Sequence, residues 1–270
     1  MKQLKPEFSV IVPVFNSKKT IARAIESILK QNISKEKIEI LISVDDGQSY
    51  YEFKEICNNI RIIYSFNKVG SGAGKTRNRG IQNALGKFIA FLDADDTWSS
   101  NYLDPLRAIA RRTGLAFGST DILSPQGKKI LKLEPINNFN IKSFGSFPGS
   151  FHPLVIKRFA GPFPNGPSQD VIHAMKLLLT SSHKNIYTKK SQYQLWLNSK
   201  SFTSEKNFSQ KVEISYRSWR EYFRRTRKIS NIKKSNEIIR ALECRRNWNR
   251  LYIKNGKEKK FYEYLAEKLV

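Results

Sequence analysis

Gly86 to Trp98 reads GKFIAFLDADDTW. Lys87 to Leu92 (KFIAFL) is an apolar run of strand length, and Asp93-Ala94-Asp95-Asp96 stops it. The same pattern recurs upstream. Phe8 to Phe15 (FSVIVPVF) is apolar and β-branched and leads into Asn16 and Ser17, both good helix N-cap residues. Ile38 to Val44 (IEILISV) ends at Asp45-Asp46-Gly47, and Ile60 to Phe66 (IRIIYSF) ends at the glycine-rich Asn67 to Gly74 (NKVGSGAG). Between these strands, Ile21, Ala24, Ile25, Ile28 and Leu29 fall at helical spacing within Thr20 to Leu29. Further helices are expected around Tyr51 to Cys57, Lys75 to Leu85 and Ser99 to Arg112, with Pro105 the weak point of the last. Strand–helix alternation through four units predicts an α/β fold with a mostly parallel central sheet flanked by helices.

The character then changes. Leu115 to Ile122, a turn at Ser124-Pro125-Gln126-Gly127, and Lys128 to Leu133 predict a hairpin. Phe144 to Ile156 is aromatic and punctuated by Gly and Pro, and Ala160 to Ser168 (AGPFPNGPS) is a loop. A helix is expected from Gln169 to about Thr180, and a helical pattern from Ser204 to the end.

The chain has 270 residues, 40% hydrophobic and 12% aromatic, which is too apolar for a disordered protein and ample for a core. Two cysteines, Cys57 and Cys244, make neither a disulfide framework nor a metal spacing and suit a reducing, cytoplasmic setting. The first residues lack the apolar segment of a signal peptide. No run approaches the roughly 20 apolar residues of a membrane helix, so membrane contact is expected to be peripheral. The formal net charge is +25. Residues 183–270 carry 23 Lys and Arg against 8 Asp and Glu, a surplus that suits an anionic partner or a solvated helical face.

In an open α/β sheet, ligands bind beyond the carboxyl ends of the strands. Pro13-Val14-Phe15-Asn16, Asp45-Asp46-Gly47 and Asp93-Ala94-Asp95-Asp96 are therefore expected to share one crevice. Five segments in this order resemble the nucleotide-sugar-binding half of family 2 glycosyltransferases, which have the GT-A fold. They are SVIVPVFN (Ser9–Asn16), SILKQ (Ser27–Gln31), SVDDG (Ser43–Gly47), GAGKTRNRGI (Gly72–Ile81) and GKFIAFLDADDTW. The later third matches poorly. The resemblance implies a Rossmann-like GT-A domain over residues 1–200. Its nucleotide-sugar-binding half would be 1–112 and its acceptor half 113–200, with 201–270 a basic, mainly helical extension.

Two carboxylates one residue apart at a strand end suit Mg²⁺ or Mn²⁺, hard ions that bind few protein oxygens together with substrate phosphates. By resemblance, Asp95 contacts the metal. Asp93 belongs to the metal shell or the ribose, and Ala94 to the donor site. An Asp-rich turn with an N-cap at Asp96 or Thr97 is the structural alternative. The resemblance puts Asp45 and Asp46 on the donor's base and ribose, although Gln48 stands where the family usually has Ser. A plain turn with a left-handed Gly47 is the alternative. Pro13, Phe15 and Asn16 fall around the base, or Asn16 and Ser17 simply cap.

Gly70 to Thr76 imitates a phosphate loop but is one residue short of G-x-x-x-x-G-K-[ST]. In the family reading this loop and Arg77-Asn78 cover the donor. Arg77 would meet base or diphosphate, against the alternative of a helix-surface arginine. The family's catalytic base corresponds to Asp170, after Phe159 to Phe163 and Ser168-Gln169. Gln169 stands where Glu is common, and a helix-N-terminal carboxylate is the alternative. His152, His173 and His183 are left out of the metal set, though His152 could lie near the pocket.

The expected activity is inverting, metal-dependent sugar transfer from a UDP- or GDP-sugar to a saccharide or lipid-linked acceptor, in cell-surface polysaccharide or lipopolysaccharide synthesis. The stretch from Trp219 to Lys228, with Tyr222, Phe223 and Arg224, Arg225 and Arg227, is expected to pack on the domain, with some affinity for the inner face of a membrane. Nucleic acid is not expected as a partner. Two rivals stay open: a nucleotidyltransferase on a similar sheet, told apart by its products, and a non-catalytic basic binding module, told apart by salt-dependent oligonucleotide binding.

Overall fold

The computed structural model describes residues 5–65, 69–134, 139–146, 152–181, 183, 185–197, 207–226, 232–256 and 259–269. Phe66 of the third predicted strand, Asn67 of the glycine-rich loop, Phe151 before His152, Ser204, and Arg227 and Lys228 lie outside the described residues.

The first half alternates as its periodicity dictates. It runs β1 (Phe8–Val14), α1 (Ile21–Leu29), β2 (Ile38–Val44), β3 (Ile60–Tyr64), α2 (Ala73–Asn83), β4 (Phe88–Phe91), β5 (Thr97–Trp98) and α3 (Leu103–Thr113). Then follow β6 (Leu115–Leu123), β7 (Lys129–Leu133), α4 (Ile141–Ser146), β8 (Leu154–Ile156), α5 (Gln169–Thr180), β9 (Tyr187–Trp196), α6 (Phe208–Thr226), α7 (Ile232–Asn255) and α8 (Phe261–Leu269).

The sheet runs in the order β3-β2-β1-β4-β8-β6-β9-β5, with β7 beside β6. β1, β2, β3 and β4 are mutually parallel, with Phe8 opposite Ile38 and Phe88. Parallel register brings the carboxyl ends of β1, β2 and β4 to one edge. Beyond β4 the antiparallel β8 leads to β6, against which β9 lies parallel. Alternation along β1 splits the core. Phe8, Val10 and Val12 pack with α1 and α3, while Ile11 belongs to the cluster holding Phe91, α5 and the last three helices. Among the described residues no helix is long and apolar enough to cross a membrane.

Three local expectations are corrected. α1 starts at Ile21 with Thr20 at its N-cap, so Asn16 and Ser17 do not cap it; Asn16 instead takes a left-handed φ of 54°. α3 starts at Leu103 rather than Ser99, because Gln31 Oε1 accepts the N–H groups of Tyr102 and Leu103 and so caps the helix from another element. Pro105 then falls in the first turn, where no N–H is needed. Thr97 and Trp98 form a strand against Gln194 and Tyr193, so neither Asp96 nor Thr97 caps a helix.

Candidate active site

The acidic turn after β4 is held from a strand distant in sequence. The Asp93 N–H donates to the Tyr193 hydroxyl at 3.1 Å, and that hydroxyl donates to Asp96 Oδ2 at 2.8 Å. The Trp196 N–H donates to Asp96 Oδ1 at 2.9 Å. Arg23 lies 3.9 Å over the Trp196 ring and donates to the Asp95 carbonyl at 2.7 Å. Asp96 is thus a buried strut. Burial pushes its carboxyl well above the usual range, and the charges of Asp95 and Asp93 add to the effect.

Arg77, on α2, is not a surface arginine: it is 3% exposed and ion-paired with Asp93. Burial opposes its charge, and Asp93 overcomes that. Its Nε and Nη1 have no hydrogen-bond partner among the described residues, which leaves two donors for a ligand. Burial would likewise raise the Asp93 carboxyl, but Arg77 and His152 hold it below the usual carboxylate range. His152 Nε2 lies 3.6 Å from Asp93 Oδ2.

A cavity of about 600 Å³ opens here. Arg77, Asp93, His152, Tyr193 and Asp170 line it, with Ser71 to Lys75 at the start of α2. Gly74 is required at that wall, since a Cβ would sit 2.5 Å from the Pro164 carbonyl. Asp170 is the second residue of α5 and partly buried. Its charge acts on Arg77, Tyr216 and Tyr262. Three of the expected residues, Arg77, Asp93 and Asp170, therefore converge.

The other expected residues are not on its wall. Asp45 is buried and engaged within the protein. Its Oδ1 accepts from the Ser71 hydroxyl at 2.5 Å and Arg79 Nη2 at 3.0 Å, and its Oδ2 from the Gly72 N–H at 2.8 Å. Burial raises its carboxyl, but these donors together hold it below the usual range. Asp46 accepts from the N–H of Asn16 at 2.6 Å and from the Tyr50 hydroxyl at 2.8 Å. Gly47 does take the left-handed conformation, with φ of 73°. Pro13 is partly buried, Phe15 is 55% exposed, and Ala94 packs in the apolar core.

Asp95 lies next to Asp93, within the fields of Arg23 and Arg77. Burial, and then the charge of Asp93, pushes its carboxyl up to about 6. The turn thus sets three carboxylates against Arg77 and Arg23, and its donors are all oxygens. That fits a Mg²⁺ or Mn²⁺ ion bound jointly with phosphate. It does not fit an all-protein site: among the described residues no three His, Cys, Asp or Glu side chains form a metal-binding group.

Sequence reasoning missed Arg23, Arg79, Tyr193, Trp196 and the cavity-lining residues of α6 to α8. It named His152 as near the pocket but assigned it no role. β9 (YTKKSQYQLW) carries too many polar residues to read as a buried strand. Arg79, two residues from Arg77 on the same predicted helix, offered the clearest signal.

Residues 9–187 match the family described as glycosyl transferase family 2. The Escherichia coli UDP-Glc:alpha-D-GlcNAc-diphosphoundecaprenol beta-1,3-glucosyltransferase WfgD is 34% identical over 119 residues, 43% of this chain and 46% of that protein. S. aureus TarS 1-349 in complex with UDP-GlcNAc superposes with a TM-score of 0.60 at 16% identity, over 97% of this chain and 91% of that one. The mannosyltransferase PcManGT from Pyrobaculum calidifontis, in complex with GDP-Man and Mn²⁺, superposes at 0.61 and 13% identity, over 98% and 74%. At these identities the two structures establish the shared GT-A fold. The chain spans less than half the length of the curated relatives it matches.

Proposed function

This chain belongs to glycosyl transferase family 2, and on that premise we propose that it moves a sugar from a nucleoside diphosphate donor to an acceptor hydroxyl with inversion. The observation that carries this is the single cavity shared by Arg77, Asp93 and Asp170. Asp170 takes the proton of the acceptor hydroxyl as its oxygen attacks the anomeric carbon. The bond from that carbon to the phosphate oxygen breaks from the opposite face, and the nucleoside diphosphate leaves. Arg77 offers its free N–H groups to base or diphosphate while Asp93 fixes its position. A Mn²⁺ or Mg²⁺ ion held by Asp95 and Asp93 would supply neutralisation of the leaving charge. Pro13, Phe15, Asn16, Asp45, Asp46 and Ala94 are assigned to the nucleoside side, with Asp45 acting through the Ser71–Gly72 loop it anchors.

The donor is a UDP- or GDP-sugar in this reading, supported by the ligands named for the TarS and PcManGT structures. The acceptor is a saccharide, free or lipid-linked, in cell-surface polysaccharide synthesis, as WfgD's name suggests for a relative. Residues 1–112 would hold the nucleotide and 113–200 face the acceptor. The basic helices beyond would rest on the inner face of a membrane.

Thermal unfolding with UDP and GDP, with and without Mn²⁺, tests the reading. A ligand at 100 times its Kd stabilises by about 2.7 kcal/mol. D95N should remove the Mn²⁺-dependent part. D170N should keep the protection while transfer, read as nucleoside diphosphate release, falls by roughly 10²–10⁴. No protection by either nucleotide refutes the proposal.

A further inference from the structure

The loop from Ala160 to Ser168 delivers Asp170 to the cavity, and it cannot hold itself. Pro162, Pro164 and Pro167 have no N–H to give, and residues 161–167 make no backbone-to-backbone hydrogen bond among the described residues. One face of α2 holds the loop instead. Gly74, Asn78 and Ile81 recur at helical spacing and meet Pro164, Phe163 and Gly161 in turn. Asn78 bonds both backbone groups of Phe163: its Nδ2 donates to the carbonyl at 2.9 Å, and its Oδ1 accepts the N–H at 2.8 Å. A Cβ on Gly161 would sit 3.2 Å from Ile81 Cδ1, so the loop lies close along the whole stripe. The Phe163 side chain extends the contact in two directions. Its ring stacks on that of His173 with centroids 3.7 Å apart, and the Arg77 guanidinium lies 5.5 Å over it. His173 follows Asp170 by one turn of α5, and its Nε2–H donates to the Ala160 carbonyl at 2.5 Å. Phe163 thus joins the arginine offered to the donor to the helical turn that carries the base.

We propose that Asn78 is a positioning residue for sugar transfer: by clasping Phe163 it fixes the reach from Asp170 to the donor held at Arg77. The proposal rests on the transferase reading above. Asn78, Phe163 and His173 are not on the cavity wall, so the clasp acts through the loop and not on a ligand. The attacking oxygen must lie within hydrogen-bond reach of the base and in line with the breaking bond, and a misplacement of about 1 Å costs roughly 10² in rate. Without the Asn78 amide, the Phe163 N–H and carbonyl lose their partners, and the loop is freed from the middle of the α2 stripe. Arg77 keeps its own anchor on Asp93. Donor binding therefore survives the loss of the clasp, while the placement of Asp170 does not.

The readout is nucleoside diphosphate release from UDP-glucose, UDP-N-acetylglucosamine or GDP-mannose with water as the acceptor, on the full chain with Mn²⁺, below the unfolding midpoint. In N78A, kcat should fall roughly tenfold to a hundredfold, while the KM for the donor and the thermal protection by UDP or GDP stay at the wild-type values. I81A thins the stripe without breaking a hydrogen bond, and it should lower kcat less, again with KM unchanged. Asn59 Nδ2 donates to the Lys35 carbonyl at 2.9 Å beside the edge strand β3. N59A removes that bond away from the stripe and should keep the wild-type kcat. An equal loss in N59A marks the effect as one of stability and overturns the proposal. A raised donor KM or lost nucleotide protection in N78A overturns it too, since Asn78 would then belong to donor binding. N78A turning over at the wild-type rate overturns this proposal alone, whereas a wild type that releases no nucleoside diphosphate overturns the transferase reading and this one with it.

Discussion

The turns after β2 and β4 look alike in sequence, SVDDG against FLDADD, and sit at the ends of the two strands that flank β1, yet they are electrostatic opposites. In the first, both carboxylate oxygens of Asp45 are taken by donors from the next loop and α2, and its acidity rises. In the second, three carboxylates crowd one turn. Arg77 neutralises Asp93, but Asp95 and Asp96 are driven the other way by burial and then by neighbouring carboxylates, Asp93 for the first and Asp95 with Asp93 for the second. Saturation makes the first turn a scaffold that shapes the loop over the cavity. The second sets three carboxylates against two guanidinium groups, which suits the metal and phosphate site proposed for it. A count of acidic residues does not separate these roles; the supply of donors does.

The sharpest way to break this contrast is D93N, which strands the buried Arg77 charge. Removing one member of a fully buried pair costs roughly 3–5 kcal/mol. A third of the Asp93 side chain is exposed, so about 2 kcal/mol is expected, as a lower urea midpoint. D45N should cost slightly less, about 1–2 kcal/mol for the weakened donors. It also carries a pH signature. The folded-state pKa of Asp45 is lowered, so the unfolded chain binds more protons across the interval. Its stabilisation is present above the unfolded value of about 3.9 and lost as pH falls through the folded one. Urea midpoints of wild type and D45N should therefore converge at acidic pH. If they stay parallel, Asp45 is not the saturated group described.

Y193F should cost about 1 kcal/mol by unlinking the Asp93 N–H from Asp96. The smallest effect has the opposite sign. Without metal, D95N should be neutral or stabilise by up to about 1 kcal/mol, because it removes a like charge beside Asp93. Destabilisation beyond that would mean that Asp95 is already satisfied within the protein.

The first half of the chain was largely legible. β1 to β4 are apolar runs bounded by helices of clear period, and α5 occupies the expected Gln169 to Thr180. Arg77, Asp93 and Asp170 could be named because local order marks them: a helix start, a strand end and a second helix start. His152 and Tyr193 could not be given roles, since each acts on Asp93 across 59 and 100 residues of chain and nothing beside either one in sequence signals it. The role of the C-terminal helices was hidden differently. Their excess of Lys and Arg describes the solvated face, while Tyr216, Asn249 and Tyr262 point inward among residues that read as ordinary helix core.

Sequence by itself determined the parallel half of the sheet, the edge at which its acidic turns gather and the family, because strand period and strand-end chemistry are local properties. Tertiary structure decided which carboxylates are saturated with donors and which are crowded together, and which distant helices close the cavity. Those outcomes depend on donors and walls brought from far along the chain, and burial, which sets the strength of every charge in the site, exists only once the chain has folded.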